Sequence, residues 1–253
     1  MSGIFTIAWK ELKDYFNSAI GYTILTLLLF ITGSFYWTLL QTYAQMAEQS
    51  AANPMMGEMP ALTEVVIGYL FSNFSIIFVL VAPLITMRLL AEERRNHTLQ
   101  LLMTAPVSSF EIVLGKFLGS MGFMTVALLL TLHFPILLYQ VASPDLGPIL
   151  ASYLGALLLA GVLVSLGLLA SSFTQHQLVA GILSFGAGLT LMVLMGWLGG
   201  DNAGPVTKFL SLTEHYDSFT KGLIKLESVT YFVSLIVFFL FATQQRIETM
   251  RRQ

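Results

Sequence analysis

Six long apolar stretches govern what this chain can fold into. They run at about Ala19–Leu40, Val65–Leu90, Ile112–Tyr139, Ile149–Phe173, Leu178–Leu198 and Val229–Thr243. The hydrocarbon core of a bilayer is about 30 Å thick, so at ~1.5 Å per residue a helix needs roughly 20 apolar residues to cross it. Helices buried in a large soluble core would need polar faces at the helical period, and Ser75–Ile85 shows no such face. The 12 basic and 14 acidic side chains among 253 residues are too few to clothe a soluble globule of this length. A net charge of −2 gives no attraction for a nucleic-acid backbone, so no nucleic-acid partner is expected. With no cysteine in the chain, disulfide frameworks and thiolate metal sites are excluded. The sequence predicts an all-α, multi-pass integral membrane protein of six transmembrane helices, with the lipid bilayer as its first partner.

The basic residues orient it. With both termini cytoplasmic, the inner segments hold Lys10, Lys13, Arg88, Arg94, Arg95, Lys116, Arg246, Arg251 and Arg252, against Lys208, Lys221 and Lys225 outside. That asymmetry fits the positive-inside rule, as does a first outer loop, about Gln41 to Glu64, with glutamates and no basic residue. Ahead of the first span, Ile4, Ala8, Leu12, Tyr15 and Phe16 share one helical face, while Thr6, Lys10, Lys13, Asp14 and Asn17 share the other. This spacing predicts an N-terminal interfacial amphipathic helix with its aromatic residues in the acyl boundary. On the outside, Ser211-Leu-Thr-Glu214 reads as a capping box opening a short amphipathic helix with His215, Phe219 and Leu223 on one face, expected to rest on the outer membrane surface.

Chemistry-bearing motifs are sparse. Gly115-Lys116 lacks the preceding glycine and the following hydroxyl of a phosphate loop, and no H-E-x-x-H occurs. No catalytic, metal or cofactor-binding residue is expected in the chain. The spans hold no central Asp, Glu, Lys or Arg, which disfavours an ion- or proton-driven carrier. His133, beside Pro135, is expected to be a hydrogen-bonded packing residue. Pro83 removes a backbone donor within the second span and predicts a kink.

One loop differs in kind. Between the second and third spans the chain reads Glu92-Glu-Arg-Arg95, then leucines at 99, 101 and 102, stopped by Pro106. Residues 91–105 make a plausible cytoplasmic helix, followed by a Ser108–Glu111 capping box. A charged helix with an apolar stripe, tied between two membrane helices, suits docking into a groove on a cytosolic protein. Glu92 and Glu93 would meet basic groups of such a groove, and Leu99 and Leu102 its apolar floor. A positively biased loop with solvated charges is the alternative.

The run Glu92-Glu-Arg-Arg-Asn-x-Thr98-Leu99-x-Leu-Leu102-x-Thr-Ala-Pro106-Val resembles the coupling-helix region of ABC type-2 permeases. Ala8–Ser18 is similar to that family's interfacial connecting helix, and Leu169–Gln177 to its second short inner loop. His215–Gly222 and Tyr231-Phe232 resemble the Gld F branch, the gliding-motility ABC permeases, although Lys225-Leu-Glu227 departs from that branch's Asp-x-Arg-Asp run. The resemblance implies one transmembrane domain over 1–253: connecting helix 1–17, spans one and two within 18–90, coupling helix 91–106, spans three to six within 107–243, and tail 244–253. It implies that Glu92, Glu93, Arg94, Arg95, Thr98, Leu99 and Leu102 contact a cytoplasmic ABC ATPase, joined by Thr174, Gln175 and His176 of the second inner loop. ATP and Mg would belong to that partner. A second permease copy or a related permease, a membrane-anchored auxiliary subunit with a large outer domain, and a bacterial cytoplasmic membrane are also implied. The function implied is the permease subunit of an ATP-driven transporter; the rival is a membrane scaffold that moves no substrate.

Overall fold

A computed structural model of the chain describes residues 3–52, 61–98, 107–140, 144–194 and 211–251. Among these residues all regular structure is helical, without strands. The elements are α1 (Gly3–Phe16), α2 (Ala19–Ala52), a π-helical turn (Thr63–Gly68) leading into α3 (Tyr69–Thr86), α4 (Ala91–Arg95), α5 (Ser109–Leu130) and α6 (His133–Leu138). They continue with α7 (Leu146–Phe173), α8 (Gln177–Leu189) passing into a second π-helical turn (Thr190–Leu194), α9 (Leu212–Thr220) and α10 (Leu226–Arg251).

Among the described residues, five helical stretches are long and apolar enough to cross a membrane: Ala19–Ala52, Val65–Arg95, Ser109–Leu138, Leu146–Phe173 and Leu226–Arg251. The fifth expected span is described as a shorter apolar helix, Gln177–Met192, and its expected end at Leu198 lies outside the described residues. α7 is the pillar of the bundle, packed against α3, α5, α8, α9 and α10. α2 and α10 instead turn apolar faces outward, through Phe30 and Trp37 on one and Val237, Phe238 and Phe241 on the other. A hydrocarbon environment satisfies such faces and water does not.

Local chemistry accounts for several boundaries. Ser108 Oγ accepts from Glu111 N at 3.2 Å and Glu111 Oε2 accepts from Ser108 N at 2.8 Å, the reciprocal capping box that starts α5. Pro135 has no N–H for the Thr131 carbonyl, so the third apolar run breaks at Thr131–Leu132 and resumes as α6. At that break His133 is exposed, its Nδ1 2.6 Å from the Leu130 carbonyl oxygen, a local backbone contact and not one between helices. α3 continues through Pro83 to Thr86. Gly222, with φ of +79°, ends α9 in a left-handed cap in which Leu223 N donates to Ser218 O at 2.9 Å.

Two expected features take a different form. The loop expected from Gln41 begins as helix: α2 continues to Ala52, about 18 Å beyond Leu40 at helical rise. Helix-favouring Gln, Ala, Met and Glu residues carry the extension. The stripe of α9 packs on protein through His215 and Phe219, while Leu223, expected on the same face, lies beyond the helix end and is exposed. Leu212, His215, Tyr216 and Phe219 are buried, Tyr216 donates its hydroxyl to Phe71 O at 2.7 Å, and Phe219 sits over Gly155 of α7. A small residue at 155 leaves room for the ring, so α9 lies on the end of the bundle, and burial pushes the Tyr216 hydroxyl well above its usual pKa.

Candidate functional site at the α1 end of the bundle

α1, α4, the start of α5 and the ends of α7 and α10 converge at one end of the bundle. The approach of α1 to α5 depends on small residues. A Cβ at Gly115 would stand 2.7 Å from Ile7 Cβ, and one at Gly119 would stand 2.8 Å from Ala8 O. This contact buries Tyr15, whose ring packs on Phe123 at 4.9 Å between centroids. The Tyr15 hydroxyl donates to Ile85 O at 3.0 Å and lies 3.2 Å from Ser120 Oγ, while the Arg88 guanidinium stands over its ring at 4.4 Å. Burial raises the Tyr15 pKa, so the hydroxyl stays a neutral donor. Of the aromatic residues of α1, Phe5 and Trp9 are the exposed ones, stacked on one another.

Beside Tyr15 lies a buried ion cluster. Lys116 Nζ of α5 donates to Glu11 Oε1 of α1 at 2.6 Å and to Glu93 Oε1 of α4 at 2.7 Å. The Lys116 side chain is 1% exposed, with Glu11 at 12% and Glu93 at 18%. Two carboxylates thus share one ammonium, and Glu93 Oε2 is buried with no hydrogen-bond partner. Partial desolvation strengthens each attraction and raises the cost of losing one member. A polar hollow of about 370 Å³ adjoins the cluster, walled in part by Lys10, Asp14, Glu92, Asn96 and Thr98.

α4 is anchored on its other side to α7. Ser171 Oγ accepts from Leu90 N and Ala91 N, both at 3.0 Å, and donates to Met87 O at 3.2 Å. One buried hydroxyl therefore satisfies two orphan donors at the helix start. Arg94 Nη1 donates to Ser172 O at 2.8 Å, a cation on the C-terminal carbonyls of α7.

The expected contact residues separate accordingly. Glu93 and Arg94 point inward to Lys116 and to α7. Glu92 walls the hollow, and Arg95 and Thr98 are exposed. Thr98 Oγ1 donates to Glu93 O at 3.3 Å. The helix expected over 91–105 is interrupted among the described residues: it runs Ala91–Arg95, breaks at 96–97, and Thr98 is helical again. Asn96 and a left-handed His97, φ 57°, turn the chain there, and both residue types tolerate that conformation. Leu99 and Leu102 lie outside the described residues. The loop of Thr174, Gln175 and His176, in which Thr174 Oγ1 accepts from His176 N at 3.1 Å, begins two residues after Ser172. The two expected contact segments are therefore neighbours, joined through Arg94. Glu11, Lys116 and Ser171 were not expected here; the available signal was a charged residue on the apolar stripe of α1 and a lysine inside an apolar run.

Residues 5–244 match the model of the ABC-2 family transporter proteins. The chain belongs to that family. No curated protein matches it. An ABC-2 chain is a multi-pass membrane subunit of an ABC transporter and not itself an ATPase, so an ATPase partner is implied by membership.

Proposed function

We propose that this chain is the permease subunit of an ATP-driven ABC transporter, turning hydrolysis by a separate ATPase into export or conformational work. The observation that carries this is the double anchoring of α4, through Lys116 to α1 and α5 and through Ser171 and Arg94 to α7. A force applied to α4 passes to three other helices by buried bonds, as a lever requires. Glu92, Arg95, Thr98, Leu99 and Leu102, with Thr174, Gln175 and His176, form the contact with the ATPase. Glu93 and Arg94 hold the segment in place from behind. The chain crosses a bacterial cytoplasmic membrane six times with both termini and α4 in the cytoplasm. It works as a dimer with a second or related permease, in the Gld F branch, with an outer-domain auxiliary subunit.

The docking test is co-purification. Leu99→Asp or Glu92→Ala is expected to leave membrane insertion normal and to weaken ATPase capture by about 30-fold, the equivalent of ~2 kcal/mol for a desolvated contact. Wild-type capture and wild-type transport in both variants would sink the assignment. The topology has its own test, eased by the absence of native cysteine. Cysteines at Gln49 and Leu223 are expected to react with an impermeant thiol reagent in intact cells, and one at Thr249 only after permeabilisation. The inverse pattern overturns the orientation.

A further inference from the structure

Two guanidiniums converge on the last turn of α7. Arg94 reaches Ser172 O, and the Arg246 guanidinium of α10 lies over the Phe173 ring at 5.5 Å. They sit against adjacent residues of α7, and neither forms an ion pair with a carboxylate among the described residues. Arg246 Nε is buried with no hydrogen-bond partner. A half-buried cation with an unmade hydrogen bond, set against a second cation, is electrostatically incomplete. An anion that accepts from both completes it.

The surroundings favour one source for that anion. Phe173 is 55% exposed, Leu178 in the first turn of α8 is exposed too, and so is Phe241 on α10. Arg246 follows Phe241 by five residues, so its charge stands roughly 7 Å further along α10 than the last outward aromatic ring. That is the spacing of headgroup to acyl boundary, where arginine stems lie on apolar surface and their heads reach the interface. A carboxylate on a soluble partner would have to come with an apolar surface to cover Phe173 and Leu178. A phospholipid brings both parts in one molecule. We infer that Arg94 and Arg246 form a binding site for the phosphate of an anionic phospholipid, whose acyl chain lies along Phe173 and Leu178. Because Arg94 also anchors α4, the bound lipid would brace the α4–α7–α10 junction.

The test is native mass spectrometry of the full-length chain in detergent supplied with phosphatidylglycerol or phosphatidylcholine, with inorganic phosphate as a third arm. The wild type is expected to retain phosphatidylglycerol in preference to phosphatidylcholine and to be protected from heat by it. Arg246→Gln and Arg94→Gln with Arg246→Gln should bind it about tenfold or more weakly, while Arg251→Gln, an exposed basic residue of the same helix, should match the wild type. Equal retention of the two lipids, or unchanged binding by Arg246→Gln, overturns the site. Equal protection by inorganic phosphate assigns it to a free anion and overturns the lipid. Loss of the ATPase from the double variant with lipid binding intact assigns the pair to a protein carboxylate and also overturns it. If the variants fail to fold, the wild-type lipid comparison decides alone.

Discussion

Lys116→Met is expected to destabilise the protein by about 3 kcal/mol, the largest effect of any single substitution considered for this chain. The change nearly preserves side-chain length and removes only the ammonium. Glu11 and Glu93, at 12% and 18% exposure, would then face each other without a counter-charge, Glu93 already having one oxygen without a partner. Loss of the Coulombic attraction and repulsion between the carboxylates act in the same direction. The readout is the midpoint of heat-induced loss of the monodisperse peak in detergent, which should fall by several degrees. Combining Lys116→Met with Glu11→Gln and Glu93→Gln removes every charge of the cluster and should recover most of the loss, because a fully neutral site carries no unpaired ion. A Lys116→Met protein as heat-resistant as the wild type would mean the cluster is solvated.

Gly119→Ala is expected to cost about 2 kcal/mol, although alanine is the better helix former by roughly 1 kcal/mol. The new methyl would stand 2.6 Å from Glu11 Cβ and 2.8 Å from the Ala8 carbonyl oxygen, so relief requires moving the α1 backbone. That movement also draws Glu11 away from Lys116, coupling the steric cost to the ion cluster. Gly122→Ala is the matched control. Its methyl would meet Leu12 Cδ1 at 3.3 Å, the far end of a flexible side chain, so the effect should stay within about 0.5 kcal/mol or be stabilising. Heat-resistance measurements on the pair separate backbone collision from loss of glycine itself. Equal midpoints would remove the argument for close α1–α5 packing.

What could be read in the sequence follows from the range of the interaction involved. Hydropathy over twenty residues located the long apolar helices, since the bilayer requirement is a property of a continuous segment. The Ser108–Glu111 box was legible because its bonds close within four residues, whereas the break before Pro135 was not expected within the run Ile112–Tyr139. Lys116 and Glu11 are 105 positions apart, and Tyr216 donates to a carbonyl 145 positions away. No local pattern links such pairs. The apolar stripes of α1 and α9 were visible, but not what would cover them, because lipid and protein interior present the same hydropathy. Gly115, Gly119 and Gly155 decided that question, by letting one helix come close to another. The charges at 92–95 looked alike in sequence; the structure divides them, with Glu93 and Arg94 bonded inward and Arg95 exposed.

The ion cluster also imposes an order in time on the making of the protein. Glu11 leaves the ribosome 105 residues before Lys116, roughly 5–20 s at ordinary elongation rates. Throughout that interval the surface that receives α1 does not exist, since Gly115 and Gly119 are still unmade. An amphipathic helix with Phe5 and Trp9 on its outer side can wait at the headgroup level, its carboxylate hydrated, until α5 inserts. Lys116 then meets Glu93, only 23 residues behind it, as a near neighbour in the same hairpin. α1 is made well before the surface that receives it.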